Sequence, residues 1–348
     1  MNGSIPQADS ASERASLKEH FELNTEVASN GSNCPACHST AGLVVQYIDL
    51  TSQHRRYSED AALQCQLTAL AGVPNHMVEM VQCDLCGLEF AKPLRAPGAA
   101  WYGLVYETLD LYPAKRWEFE FVLKTLAPSE TLGELGCGSG EFLRLCQQAG
   151  VSASGVDFSQ QAVDSCCRAG LIAKQIDLKS DTVAFPGGMH PEVIVAFQVL
   201  EHLECPRTLF TCARHWASPQ GRLWIAVPSN RRPSRCLHER DFLDEPPHHM
   251  TRWTESALIR IAEGTGWQCR RVIYEPIDWS TQLWWISTRS SVYKLLQDAG
   301  LLTNRWLERL VRAALAPSAW VRSVPHRSSI SGQTMLAEYV RTDTHIAS

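Results

Sequence analysis

Four cysteines stand in two C-x-x-C pairs, Cys34-Pro-Ala-Cys37 and Cys83-Asp-Leu-Cys86. Two such pairs can bring four thiolates to tetrahedral reach of one Zn2+. A complete set of four leaves no coordination position open, so the expected role is structural. A redox role would need only one pair. The 45 residues between the pairs exceed the usual spacing of a zinc ribbon. A second constellation lies at Thr131–Phe142, T-L-G-E-L-G-C-G-S-G-E-F, where Glu134 precedes Gly136, Cys137, Gly138 and Gly140. Glycines at alternate positions permit a tight turn and let a ligand approach the backbone closely. The loop lacks the Lys-Ser/Thr ending that cradles a triphosphate, and it does not fit the G-x-G-x-x-G dinucleotide fingerprint. About twenty residues on, Ala153-Ser-Gly-Val-Asp157 reads as a short strand ending in an acid. A carboxylate there can accept both hydroxyls of a ribose.

Those residues need elements to position them. From residue 130 onward, short strands alternate with helices, the mark of an open parallel α/β sheet. Strands are predicted at 131–135, 153–157, 171–176, 193–199, 223–227, 268–274 and 334–340. Ser159 is placed to cap a helix that buries Ala162, Val163 and Cys166 and stops at Gly170. A connecting helix is predicted over Pro113–Leu126, with Phe119, Val122, Leu123 and Leu126 on its buried stripe. His76–Cys83 alternates like a strand leading into the second cysteine pair. The fold expected is therefore α/β: a Rossmann-like sheet of seven strands, an N-terminal zinc-ribbon-like module and a C-terminal helical insertion.

At 348 residues the chain has ample length for two domains. A net charge of −5 argues weakly against a general nucleic-acid surface. No apolar run approaches the length of a membrane helix. The opening M-N-G-S-I-P-Q-A-D-S lacks the basic start and apolar core of a signal peptide. Thirteen cysteines without an export signal point to a reducing, cytoplasmic setting. The domain boundaries expected are a loose polar tail over 1–29, a zinc-binding module over 30–95 and a connecting helix within 96–128. The Rossmann-like domain follows over 129–277, then a helical insertion over 278–331 and a last strand and tail over 332–348.

Taken together, E-L-G-C-G-S-G, G-V-D-F-S, I-D-L after the third strand, V-L-E-H-L after the fourth and P-P-H-H-M-T-R-W-T after the fifth resemble, in order, the pattern of class I S-adenosylmethionine-dependent methyltransferases. The segment C-D-L-C-G-L-E-F-A-K-P, with Tyr102 and Tyr106 downstream, resembles the front of a subgroup that carries an N-terminal zinc module and acts on sugars and other small metabolites. Pro191-Glu-Val193 departs from the F-D-V that commonly opens the fourth strand. Related quinone O-methyltransferases hold a metal with E-x-x-E-H. Gln198 stands at the first of those positions here, so that metal is not implied.

The resemblance implies that Gly136, Cys137, Gly138 and Gly140 hold the methionine part of S-adenosylmethionine, with Glu134 near its amino group. It places Asp157 and Phe158 at the ribose, Asp177 and Leu178 beside the adenine, and Gln198 facing the reacting centre. Methyl transfer then needs alignment and exclusion of water, because the cofactor carries the activation. A hydroxyl or carbon-acid acceptor would also need a base, and histidine titrates in the useful range. The candidates are His249, then His202 and His248.

Three functions compete. The first is O- or C-methylation of a small-molecule acceptor, and the second an RNA methyltransferase that uses the zinc module for recognition. Residues 30–95 show no dense Lys/Arg cluster, which weighs against the second. The third is a non-catalytic binding protein, which the intact glycine loop and Asp157 argue against. The insertion is rich in tryptophan (Trp279, Trp284, Trp285, Trp306, Trp320), and Asn304–Leu315 reads as an amphipathic helix. A structural cover, a lid over an apolar substrate and a peripheral membrane contact through its basic face are its three readings. The sequence leaves oligomeric state open.

Overall fold

The computed structural model describes residues 33–109, 116–178, 184–233, 242–277, 281–282, 291–300, 310–311, 314 and 330–342. In chain order, strand β1 (Gly42–Asp49) is followed by two short helices, α1 (Leu50–His54) and α2 (Ala61–Ala71). Asp49 and Asp60 cap them by accepting backbone N–H groups, which satisfies donors that a helix start leaves free. Strand β2 (Met77–Cys83) returns antiparallel to β1, and β3 (Glu89–Lys92) pairs with β2 across the second cysteine turn. The long gap between the cysteine pairs is thus filled by β1 and both helices.

The stretch expected as one connecting helix carries two, α3 (Ala99–Thr108) and α4 (Trp117–Leu123). The predicted 113–126 helix is shorter at both described ends: Arg116 is extended, and Thr125 N–H closes a turn on the Val122 carbonyl. Phe119 and Val122 are buried as the spacing predicts.

The larger sheet begins with β4 (Leu132–Leu135), α5 (Glu141–Gln148), β5 (Ala153–Asp157), α6 (Gln160–Arg168) and β6 (Ala173–Gln175). It continues with β7 (Val193–Phe197), α7 (Pro206–Trp216) and β8 (Arg222–Pro228). The two-residue β9 (Thr251–Arg252), α8 (Glu255–Ile261), β10 (Trp267–Tyr274), α9 (Ser291–Asp298) and β11 (Thr334–Arg341) complete the order. The sheet has seven strands in the order β10-β11-β8-β7-β4-β5-β6, and β11 alone runs against its neighbours. Chain direction outward from the sheet's middle reverses between β4 and β7, a crevice where such sheets bind ligands at their carboxyl ends. The third strand is shorter than predicted, because only Ala173–Gln175 pair with β5.

One pairing was not visible in the sequence. Thr251 and Arg252, from the loop after β8, pair with Phe90 and Glu89, so the smaller sheet has the order β1-β2-β3-β9. Met250 fixes that loop by two backbone bonds: its N–H donates to the Glu201 carbonyl in the turn after β7 (2.8 Å), and its carbonyl accepts from Ala91 of β3 (2.9 Å). Apolar packing also crosses over. Cys34, Cys86, Leu88 and Phe90 share one core with Leu200, Trp253 and Leu258. Among the described residues no helix is long and apolar enough to cross a membrane. The five insertion tryptophans and nearly all of Asn304–Leu315 lie outside the described residues.

Candidate active site

Glycine geometry builds the first wall. β4 ends in a turn where Gly136 and Cys137 both donate backbone N–H groups to the Val156 carbonyl, at 2.8 and 3.0 Å. Gly136 and Gly140 have φ of 74° and 84°, a region that side chains rarely adopt. A Cβ on Gly136 would lie 2.4 Å from a Val199 methyl, and one on Gly140 would lie 2.6 Å from Leu171. Gly136→Ala is therefore expected to cost at least about 1–3 kcal/mol through backbone strain. A thermal melt at or above the wild-type midpoint would contradict this.

Asp157 at the end of β5 ties the turn down. One carboxylate oxygen accepts from Gly138 N–H at 2.8 Å and the other from Ser159 N–H at 2.9 Å. A carboxylate offers about four lone-pair sites, so two remain for a diol. Burial pushes the Asp157 carboxyl upward against the pull of those backbone donors. Gln198, just past β7, is a non-glycine residue at φ 57°, and its amide reaches Glu118 at 3.4 Å. Strain of this kind gathers at functional sites.

A cavity of about 1270 Å³ runs along this wall, lined by Gly136, Gly138, Asp157, Phe158, Asp177, Leu178 and Gln198. Glu134, Cys137 and Gly140 stand behind the loop and do not line it. Glu134 is nonetheless buried with one carboxylate oxygen unpartnered, and desolvation raises its carboxyl well above the usual range. A cation such as an ammonium would satisfy that oxygen.

The far wall of the cavity carries His202, His248 and His249, whose ring centroids lie 4.7–4.9 Å apart. All three sequence candidates are brought together. In each ring Nδ1 is committed: His202 donates to the His248 carbonyl (2.6 Å), His248 to the Leu243 carbonyl (2.9 Å) and His249 to Asp244 (3.3 Å). Carbonyls and carboxylates only accept, so Nδ1 carries the proton and Nε2 is left bare. Burial drives His202 well below the usual range, and drives His248 down to about 3.

Several residues of this wall were not assigned a place in the site by the sequence reading. Tyr102 is buried, and its hydroxyl sits 3.1 Å from His202 Nδ1 and 3.2 Å from the His248 carbonyl that it can donate to. Burial alone would raise Asp244, but the His249 hydrogen bond and the charges of Arg232 and Arg252 outweigh it and hold the carboxyl far below its usual range. Arg232 contacts Asp244 at 2.5 Å, and Arg252 bonds the Asp244 carbonyl and Glu89 at 2.9 Å each. Glu201 lies under the cluster at zero exposure, 3.9 Å from His249 Nε2, and desolvation raises it to about 7. Tyr102, Glu201 and Arg252 fall in or beside the motifs quoted above, but nothing local in the sequence shows that they meet the histidines.

The cysteine cluster lies apart from the cavity lining. Sγ separations are 3.6 Å for Cys34–Cys86 and 3.5 Å for Cys37–Cys83, and all four sulfurs fall within 4.8 Å of one another. A tetrahedral ion with bonds of about 2.3 Å needs sulfur edges near 3.8 Å. The two turns match in conformation: His38 and Gly87, each four residues past a first cysteine, have φ of 62° and 70° and donate N–H to that cysteine's carbonyl at 2.9 Å.

Residues 112–272 match the family described as a methyltransferase domain. Fold, glycine loop and this family match support a class I S-adenosylmethionine-dependent methyltransferase. No curated protein sequence matches it significantly. Among solved structures, it is similar to a SAM-dependent methyltransferase from Archaeoglobus fulgidus at 16% identity, covering 65% of this chain and 91% of that one with a TM-score of 0.41. Magnesium protoporphyrin IX methyltransferase from Synechocystis PCC 6803 matches at 13% identity, with 65% and 76% coverage and a TM-score of 0.36. Geranyl diphosphate C-methyltransferase from Streptomyces coelicolor A3(2) matches at 15% identity, with 65% and 80% coverage and a TM-score of 0.40.

Proposed function

We propose that this chain methylates an oxygen or carbon of a small-molecule acceptor held between the glycine loop and the three-histidine wall. The observation that carries the reading is one continuous cavity reaching from Gly138 and Asp157 to His202, His248 and His249. In this reading Gly136 and Gly138 receive the methionine part of the cofactor, Cys137 and Gly140 shape the loop, and the buried Glu134 carboxyl lies behind it as an acceptor for the cofactor's ammonium group. Asp157 and Phe158 take the ribose, Asp177-Leu178 flank the base, and Gln198 faces the reacting centre. Bound S-adenosylmethionine supplies a methyl group already activated on a sulfonium.

The protein's own work is orientation, exclusion of water and handling of one proton. His249 has its Nδ1 fixed by ionised Asp244, so Nε2 is the nitrogen that would accept a proton from an acceptor hydroxyl or carbon acid. Tyr102 and His202 hold the neighbouring backbone in place. Incubating the protein with labelled S-adenosylmethionine and fractionated cell extract tests the reading. Label in a small-molecule fraction is expected; label confined to RNA, or to none, would overturn it.

The cysteine cluster is read as one structural zinc site. Removing one thiolate leaves an incomplete shell, and the folding energy coupled to the metal falls with it. Protein purified without chelator is expected to hold close to one zinc per chain, lost in Cys83→Ser. Unchanged zinc content in that variant would refute the assignment.

A further inference from the structure

We infer that His202, His248 and His249 form a second metal site, an open three-imidazole site for a first-row divalent transition ion. This goes beyond methyl transfer and rests on the same cavity wall. The three rings come from two separate loops, and one ring nitrogen of each lies within 4.8 Å of the others. Their ring planes cross at 90°, 75° and 30°, so the three do not stack as a set.

Imidazoles that bind metals usually donate their second nitrogen to a carbonyl or carboxylate, which fixes the ring and its tautomer. Here every ring does so: His202 to the His248 carbonyl, His248 to the Leu243 carbonyl and His249 to Asp244. These bonds leave Nε2 as the bare nitrogen of each ring, the atom that an ion seated among the three would take. A second observation points to a ligand. His248 is 7% exposed, and its Nε2 is buried with no hydrogen-bond partner. Leaving such an atom unsatisfied costs free energy that an ion would return. The Glu201 carboxylate, with neither oxygen hydrogen-bonded, stands 3.9 Å from His249 Nε2 as a counter-charge.

Three imidazoles suit zinc, cobalt, nickel or iron rather than the hard, oxygen-seeking magnesium or calcium. Because the cluster lines the cavity, a position on the ion stays open to an acceptor oxygen, as in catalytic rather than structural sites. An ion there uses the same Nε2 lone pair of His249 that would take a proton, so the two uses are alternatives.

The test is a Co2+ titration of the full chain, chelator-treated so that only tightly held metal remains, followed by calorimetry and visible absorption. Neither cofactor nor acceptor is needed, so its failure leaves the methyl-transfer reading standing, while failed S-adenosylhomocysteine binding would count against that reading alone. Wild type is expected to take up one Co2+ per chain whose spectrum lacks thiolate charge transfer. His202→Gln and His249→Gln should each weaken that uptake about tenfold or more, with S-adenosylhomocysteine affinity confirming that both variants are folded. Absence of this ion in wild type, a spectrum with thiolate bands, or undiminished uptake in both variants would overturn the inference.

Discussion

His249→Ala is expected to lower the single-turnover methylation rate by about a hundredfold to ten-thousandfold, the usual contribution of a positioned general base. Cofactor affinity should stay near wild type, because His249 is not among the residues read as holding the cofactor. Three features single it out from its neighbours. Asp244 holds its Nδ1, Glu201 lies beside its Nε2, and Pro246 and Pro247 restrict the backbone that presents it. His202→Ala should have a smaller effect, since that ring braces the His248 carbonyl. Rates are measured across pH, with and without chelator. A base at His249 leaves wild type insensitive to chelation and flattens the variant's pH dependence. A bound ion makes chelation alone reproduce most of the loss. A variant that reacts at the wild-type rate would place proton transfer elsewhere, or mean that the acceptor needs none.

What the sequence disclosed follows from how local each requirement is. The glycine loop was legible because positive φ at Gly136 and Gly140 is a demand that only glycine meets cheaply, and Asp157 stands a fixed distance beyond it. The cysteine pairs were legible for the same reason: each pair is one tight turn. The helix-borne Glu118 was not, because it sits buried at 2% exposure with Gln198 and Thr334 as partners, which no apolar periodicity encodes. Nor was the pairing of β9 with β3. Two residues carry no strand signal, and the contact joins positions about 160 residues apart. That pairing matters for the site. Arg252 lies in it, binds Glu89 on one side and the Asp244 carbonyl on the other, and so couples the cysteine-bearing sheet to the residue that orients His249. The histidine wall was foreseen as three separate candidates, whereas their approach depends on the Met250 backbone joining the turn that carries His202 to β3.

Asp157→Ala is expected to weaken S-adenosylhomocysteine binding at least about tenfold, from the loss of a charge-assisted contact of about 1.5–3 kcal/mol. Two contributions add. One is the ribose, for which the carboxylate has lone pairs to spare after Gly138 and Ser159 are served. The other is the loop itself, since without Asp157 the Gly138 N–H loses its acceptor and the turn loses its tie to β5. Asp157→Asn separates them: the amide keeps one acceptor oxygen for the loop but gives up the charge and a second acceptor. Its affinity should fall between those of wild type and Asp157→Ala. Calorimetry on folded protein decides, with NAD as the control ligand. Equal S-adenosylhomocysteine affinity in Asp157→Ala and wild type would remove Asp157 from the cofactor site. Tight NAD binding by wild type would mean that the loop serves a different nucleotide.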